Sequence, residues 1–464
     1  MFSKYVFDLP TDYRSDLAIA WLWLAILTLL GAGIFSLLLV LARTPKIDEL
    51  IPFVDFFHTA LVIHVNLSSL VWILSFASAL WSLNSRSIFP WFARLIFILV
   101  LVGTLIISIS PFLGNAKALM SNYIPVLNTP VFLTGLTIFG IGIGLQVIFS
   151  MSAMFKVGEA ISGKGVIRFG LNCAAIGAFM SLVSFIWSYL TLPVELANPV
   201  YYELLFWSGG HVLQFTYTLL MMVAWLWLSS SAGLSLPLSP RVALFLFAVG
   251  LLSIFMTPLV YYSYDVSDPV HRKMFTMLMS FGGSLAIFPL SIAILFSLFQ
   301  KKSDNQLQSS AYTALLASLL LFGIGGLMGF MIEGNNVRIP AHYHGCIVGV
   351  TLSLMGLTYQ LLNAMGFSKI NFRLTKLQIW VYAFGQFLHI SGLVWSGGYG
   401  VQRKVAGAAQ SLDSIERVAG MGLMGLGGLL STVGGFIFII IVLKAMMNKR
   451  DVHKQNGTVN TVRI

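Results

Sequence analysis

Hydrophobic residues in this chain run in long blocks broken by short polar segments. Blocks long enough to cross a bilayer can be read at 17–42, 56–83, 90–113, 126–154, 168–192, 200–229, 239–262, 270–299, 309–332, 341–365, 375–399 and 420–446. In hydrocarbon a backbone must satisfy its own hydrogen bonds, so each block predicts a helix. The pattern therefore describes an all-α integral membrane protein with twelve transmembrane helices. The intervening segments leave no room for an extramembrane domain, and residues 1–464 read as one membrane domain with a short tail from about 447.

Composition agrees: 58% of residues are hydrophobic and 9% charged, and the mean hydropathy of +0.88 lies outside the soluble range. Met1 to Asp16 mixes Lys4 and Arg14 with Asp8, Asp12 and Asp16, unlike a cleavable signal, so the first helix is expected to remain as an anchor. With both termini cytoplasmic, the inner segments hold Lys156, Lys164, Arg168, Lys301, Lys302, Lys369, Arg373, Lys376, Lys444, Lys449, Arg450, Lys454 and Arg463. Roughly two-thirds of Lys and Arg then face inward, as the positive-inside rule expects of an inner (cytoplasmic) membrane protein. The net charge of +11 follows from this asymmetry and argues against a nucleic-acid partner. Cys173 and Cys346 fall within apolar blocks, and without a CxxC they leave the redox compartment unread.

Candidate chemistry lies in the histidines. Ala341-His342-Tyr343-His344 places two imidazoles two residues apart. A helix turns about 100° per residue, so the two rings leave on nearly opposite faces and one helix could serve two metal centres. In this orientation the second, sixth and tenth helices run from outside to inside, and His64, His211, His342 and His344 all fall in the outer third of the bilayer. Ionisable groups are costly there and carry a functional presumption. Imidazole is the usual axial ligand of haem iron. His64 with His344 would hold a six-coordinate electron-transfer haem, and His342 a second haem, open on its far side beneath His211. Arg338, Arg403 and Lys404 stand at the right height to pair with haem propionates, or are ordinary loop charges.

These residues resemble a known family, the haem-copper oxidoreductases, catalytic subunits of terminal oxidases and nitric oxide reductases. The resemblance spans nearly the whole chain, with twelve helices in the same order. His64-Val65-Asn66-Leu67-Ser68-Ser69-Leu70-Val71-Trp72 is similar to the second-helix segment that ligates the low-spin haem, close to the nitric oxide reductase branch. Phe206-Trp207-Ser208-Gly209-Gly210-His211 resembles the sixth-helix motif ending in the first distal-metal ligand. Ala341-His342-Tyr343-His344 resembles the Gly/Ala-His-Phe-His motif, whose first His binds the active-site haem and whose second binds the low-spin haem. Gly397-Gly398-Tyr399-Gly400-Val401-Gln402-Arg403-Lys404 resembles the segment with paired basic residues over the propionates. The resemblance implies two haems, taken as b-type.

The likeness breaks at the distal metal. The family's adjacent seventh-helix histidines correspond to Tyr261 and Tyr262, in Pro258-Leu259-Val260-Tyr261-Tyr262-Ser263-Tyr264-Asp265. One imidazole does not hold copper in a three-nitrogen site, whereas phenolates and carboxylates suit harder ions such as non-haem iron. His211 with Tyr261, Tyr262 or Asp265 binds a different metal, or the distal site is empty and hydrogen-bonded by the tyrosines. Phe215 stands where oxidases carry a Tyr and nitric oxide reductases a Glu, and Gln214 is the polar neighbour that could donate to a haem-bound ligand. The inner halves of the helices offer no clear Asp, Glu or Lys relay, which argues against pumping by the family's usual channels. Glu195, Glu203, Asp265, Asp268 and Glu333 lie outward. His58, His271 and His453 read as solvated, and His389, inside the eleventh helix, receives no ligand role.

Three functions compete. The first is a membrane oxidoreductase that passes electrons from a low-spin to a high-spin haem to reduce O2 or NO, with Gln214, Tyr261 and Tyr262 around His211. The second is a diheme protein without distal copper, for electron transfer, gas binding or complex assembly. The third, a twelve-helix transporter, gives no reason for the depth-matched histidines. With no CxxCH in the chain, electrons are expected from a cytochrome c-like or cupredoxin-like subunit, or from quinol.

Overall fold

The computed structural model describes residues 4–6, 8–47, 56–114, 116–156, 161–300, 306–367 and 370–448. Lys301, Lys302, Lys369, Lys449, Arg450, His453, Lys454 and Arg463 lie outside the described residues. Among the described residues, twelve helices are long and apolar enough to cross a membrane: α1 Tyr13–Leu41, α2 Phe57–Asn84, α3 Pro90–Phe112, α4 Pro130–Ser152, α5 Gly163–Thr191, α6 Asn198–Ser231, α7 Pro240–Ser263, α8 Pro269–Gln300, α9 Ser310–Gly329, α10 Arg338–Ala364, α11 Phe372–Gly398 and α12 Ile415–Met447.

Boundaries differ from the apolar blocks where capping chemistry overrides hydropathy. The fourth block opens at 126 in the sequence, yet Val126–Leu127 pairs as a short strand β2 with β1, Ala118–Leu119. The helix starts only at Pro130, where Thr129 accepts the Phe132 N–H. Ser162, Asn371 and Ser414 likewise cap α5, α11 and α12 several residues before their apolar blocks begin. α10 begins at Arg338, so the His-x-His pair stands inside its first two turns.

The chain forms two compact units. The first comprises residues 1–25 and 70–302. Its N-terminal segment is tied to the connections between helices: the Tyr5 backbone N–H donates to Ser230 Oγ at 2.7 Å, its phenol donates to the Leu238 carbonyl at 2.7 Å, and Lys164 Nζ lies 2.6 Å from Asp8. Arg14 pairs with Asp12 and donates to the Ser85 carbonyl, and its guanidinium holds the Asp12 carboxyl below its ordinary range. α6 is the central helix of this unit; all but a few residues beyond Leu204 are buried.

The second unit comprises residues 26–69 and 303–464. Its helices pack in two close pairs, each built on glycine, as small-residue contacts allow in lipid. A Cβ at Gly345 in α10 would collide with the backbone of Gly325 in α9. Gly385 and Gly392 of α11 meet Gly420, Gly427 and the Ser431 region of α12 in the same way.

Candidate functional site

In the second unit the motif histidines lie against named neighbours. His64 Nδ1 lies 2.9 Å from the Ala32 carbonyl of α1, and His342 Nδ1 lies 2.7 Å from the Gly325 carbonyl of α9. A carbonyl only accepts, so both rings carry their proton on Nδ1 and leave Nε2 with a lone pair. The His342 ring also lies over Gly329, where a Cβ would come within 2.9 Å of it. His344 leaves α10 toward α11 instead, with its ring centroid 4.8 Å from that of His389. The two motif histidines thus face different helices, as a turn of about 200° between them requires. His64, His389 and Arg43 lie within electrostatic range of His344.

Local sequence explains the setting of His64. Directly after it α2 widens into a π-helical stretch, Asn66–Val71, a distortion frequent at functional sites. Asn66 donates to the Val62 carbonyl at 2.8 Å, Ser68 to the His64 carbonyl at 2.6 Å and Ser69 to the Val65 carbonyl at 2.6 Å. The polar letters of the second-helix motif therefore satisfy carbonyls around the widened turn.

The basic residues read from the sequence gather near the start of α10. The Val337 N–H donates to the Val401 carbonyl at 3.1 Å, joining this end of α10 to the 399–404 turn. Arg338 lies against Gly397 and Gly398, with Nη1 3.8 Å from Glu333 Oε2, while its buried Nε has no hydrogen-bond partner. Arg403 Nε donates to Asn335 Oδ1 at 2.5 Å, and the Lys404 carbonyl lies 3.0 Å from Nε2 of the exposed His58. Arg43, just beyond α1, joins this group without any signal in the hydropathy pattern. Its Nη2 donates to the Gln402 carbonyl at 3.4 Å, its Nε is buried without a partner, and burial pushes the guanidinium from 12.5 down to about 10.

In the first unit, His211 is 5% exposed and both ring nitrogens are engaged. Nδ1 donates to the Trp207 carbonyl at 2.8 Å, and Nε2 accepts from the Tyr123 hydroxyl at 2.9 Å. Tyr123 comes from the loop between α3 and α4, which β1 and β2 fold back on itself. Its ring lies on α6 over Gly210, where any Cβ would collide with it. Next to it, the Glu203 carboxylate accepts from the Asn122 backbone N–H at 2.8 Å and side-chain amide at 2.5 Å. Burial, with the nearby Glu203 charge, raises the Tyr123 phenol above its ordinary range, so it stays a protonated donor.

Several expectations about this region need correction. The hydroxyl on His211 belongs to Tyr123, not to Tyr261 or Tyr262. Tyr261 is buried but its hydroxyl bonds Ser188 Oγ and the Ser184 carbonyl, both at 2.8 Å, and its ring stacks on Trp187. Tyr262 is 89% exposed, because the neighbouring position on a helix points about 100° away. Asp265 turns back on its own loop, where Ser267 donates to it twice and keeps its carboxyl below the ordinary range. His271 is not solvated: it sits in the first turn of α8, 1% exposed, with Nε2 3.2 Å from Ser208 Oγ and Nδ1 3.2 Å from the Tyr264 carbonyl. Gln214 lies three residues beyond His211 on α6, half-buried.

Comparison with known proteins joins these observations. The family model described as cytochrome c and quinol oxidase polypeptide I matches residues 16–453. The chain belongs to that family. Similar relatives are an uncharacterized protein, RP382, of Rickettsia prowazekii, 31% identical over 505 aligned positions with 94% of this chain and 97% of the relative covered. An uncharacterized protein of Aquifex aeolicus is 30% identical over 353 positions, covering 75% of this chain and 85% of that one. Among solved structures, a haem-copper terminal oxidase dimer matches with a TM-score of 0.74 at 17% identity, covering 95% of this chain and 85% of that chain, which is a likeness of fold.

The family implies haem and copper, and the residues answer differently for each. Haem fits: His64 and His342 present Nε2 lone pairs backed by carbonyl-bound Nδ1–H groups, and two arginines carry buried, unpartnered Nε donors suited to carboxylates. Copper does not fit. His211 has no free nitrogen, and no group of three His, Cys, Asp or Glu side chains suited to a metal occurs among the described residues.

Proposed function

We propose that this protein is a two-haem membrane electron-transfer and gas-binding member of the cytochrome c and quinol oxidase family that works without distal copper. The observation that carries the reading is the Tyr123–His211 hydrogen bond, which occupies the nitrogen a distal metal would need. His64 and His344 would hold one haem between α2 and α10, and His342 would hold another from the opposite face of α10. Haem would supply reversible one-electron chemistry and a site for O2 or NO. Arg338 and Arg43 would pair with propionates through their unpartnered Nε donors, and Arg403 and Lys404 would add positive charge beside them.

The chain's own part is to orient and to insulate. Carbonyls of Ala32 and Gly325 fix the tautomers of His64 and His342, and the phenol of Tyr123 holds the His211 ring through its Nε2. Electrons would come from a cytochrome c-like or cupredoxin-like subunit or from quinol, within an inner membrane with both termini on the cytoplasmic side. Reduction of O2 or NO is the second reading, favoured by membership in the cytochrome c and quinol oxidase polypeptide I family. Replacing His64 or His344 by Ala tests the assignment. Either change should abolish the sharp reduced-minus-oxidised bands of a low-spin haem while a high-spin signal remains; unchanged spectra in both variants defeat it.

A further inference from the structure

Three of the imidazoles in the second unit differ in how their second nitrogen is used. A histidine that gives Nε2 to iron carries its proton on Nδ1, and that N–H needs an acceptor, which fixes the ring and raises its basicity. His64 has the Ala32 carbonyl and His342 has the Gly325 carbonyl. His344 has no hydrogen bond to either ring nitrogen among the described residues. The polar group against its ring is His389, at a centroid distance of 4.8 Å and an interplanar angle of 62°, an edge-to-face contact.

His389 is fixed more firmly than a space-filling residue would need to be. Its backbone is pressed against α12, where a Cβ at Gly427 would collide with the His389 nitrogen and one at Gly428 would lie 3.1 Å from its Nδ1. Its Nδ1 lies 3.0 Å from the Met424 carbonyl, so that nitrogen donates and Nε2 is left as a lone pair. The result is an acceptor nitrogen of set orientation beside the one motif histidine that lacks a carbonyl.

We propose that, when His344 holds haem, its free N–H turns from the edge-to-face contact to the Nε2 of His389, and that this hydrogen bond sets the reduction potential of that haem. His389 is a positioning residue, acting on iron only through His344, and the proposal rests on the reading of His344 as a haem ligand. A hydrogen-bonded imidazole is a stronger donor and favours ferric iron, so removing the acceptor favours ferrous iron.

The test is spectroelectrochemical titration of the purified full-length protein. In His389→Leu the low-spin bands should persist, with the ferrous-to-ferric ratio at fixed potential raised three- to tenfold, tenfold being 59 mV for a one-electron couple. His389→Gln, whose amide oxygen accepts, should return most of that shift. An unchanged midpoint in His389→Leu overturns the proposal. So does loss of the low-spin haem, which would make His389 a ligand itself. If the leucine variant does not accumulate, His389→Phe and the ferric electron paramagnetic resonance of the unaltered protein decide. The unaltered protein should show a larger ligand-field splitting than a bis-imidazole haem without such a bond, and an equal splitting overturns the proposal. A His344→Ala protein that keeps its low-spin haem defeats the ligand reading instead, so the two failures are distinguishable.

Discussion

Replacing Tyr123 by Phe removes one oxygen and leaves most of the ring packing in place, since the Tyr123 ring centroid lies 4.7 Å from that of His211 and 6.0 Å from that of Trp207. What changes is the buried Nε2 of His211, which loses its donor. Leaving a buried acceptor unsatisfied costs about 1–3 kcal/mol, or about 5- to 150-fold in the folding equilibrium. The companion change His211→Leu removes the acceptor, so the double variant no longer carries that penalty. A double-mutant cycle, measured by unfolding in mixed detergent micelles with circular dichroism, should therefore give a coupling of at least about 1 kcal/mol. Additivity within about 0.5 kcal/mol would refute the claim that Tyr123 and His211 act as a pair.

Three further outcomes follow from the same geometry. Gly210→Ala places a Cβ in the Tyr123 ring and should displace the loop, lowering stability by about 1–3 kcal/mol and reproducing the Tyr123→Phe effect; a variant as stable as the parent contradicts the cradle. His342→Ala should lose carbon monoxide binding while the low-spin spectrum survives, and unchanged affinity removes His342 from the site. Converting Tyr261 and Tyr262 both to His should not raise copper content, because position 262 faces outward; copper rising to one per chain shows that α7 is oriented differently.

The helices were legible because hydrocarbon permits little else: a run such as 420–446 must satisfy its backbone internally. The opposed faces of His342 and His344 followed from helical rotation alone. Tyr123 was not legible. It lies 88 residues from His211 in a polar loop, and no periodicity links the two. Its one trace in the sequence is Gly210, a glycine where a lipid-embedded helix would tolerate a larger residue. Arg43 and His389 were hidden for a related reason, since their roles depend on which ends and faces of α1 and α11 meet α10, and hydropathy carries no information on rotation about a helix axis. Tyr261 and Tyr262 were read as a pair by position, whereas the turn between neighbours on α7 separates them into a buried and an exposed residue.

The measurement closest to the central claim is the cofactor content of the purified protein, from pyridine haemochrome spectra with elemental analysis of copper and iron on the same sample. The account predicts two haems per chain, with iron matching haem and copper well below one per chain. Stoichiometric copper, or a chain that carries no haem at all, would contradict it.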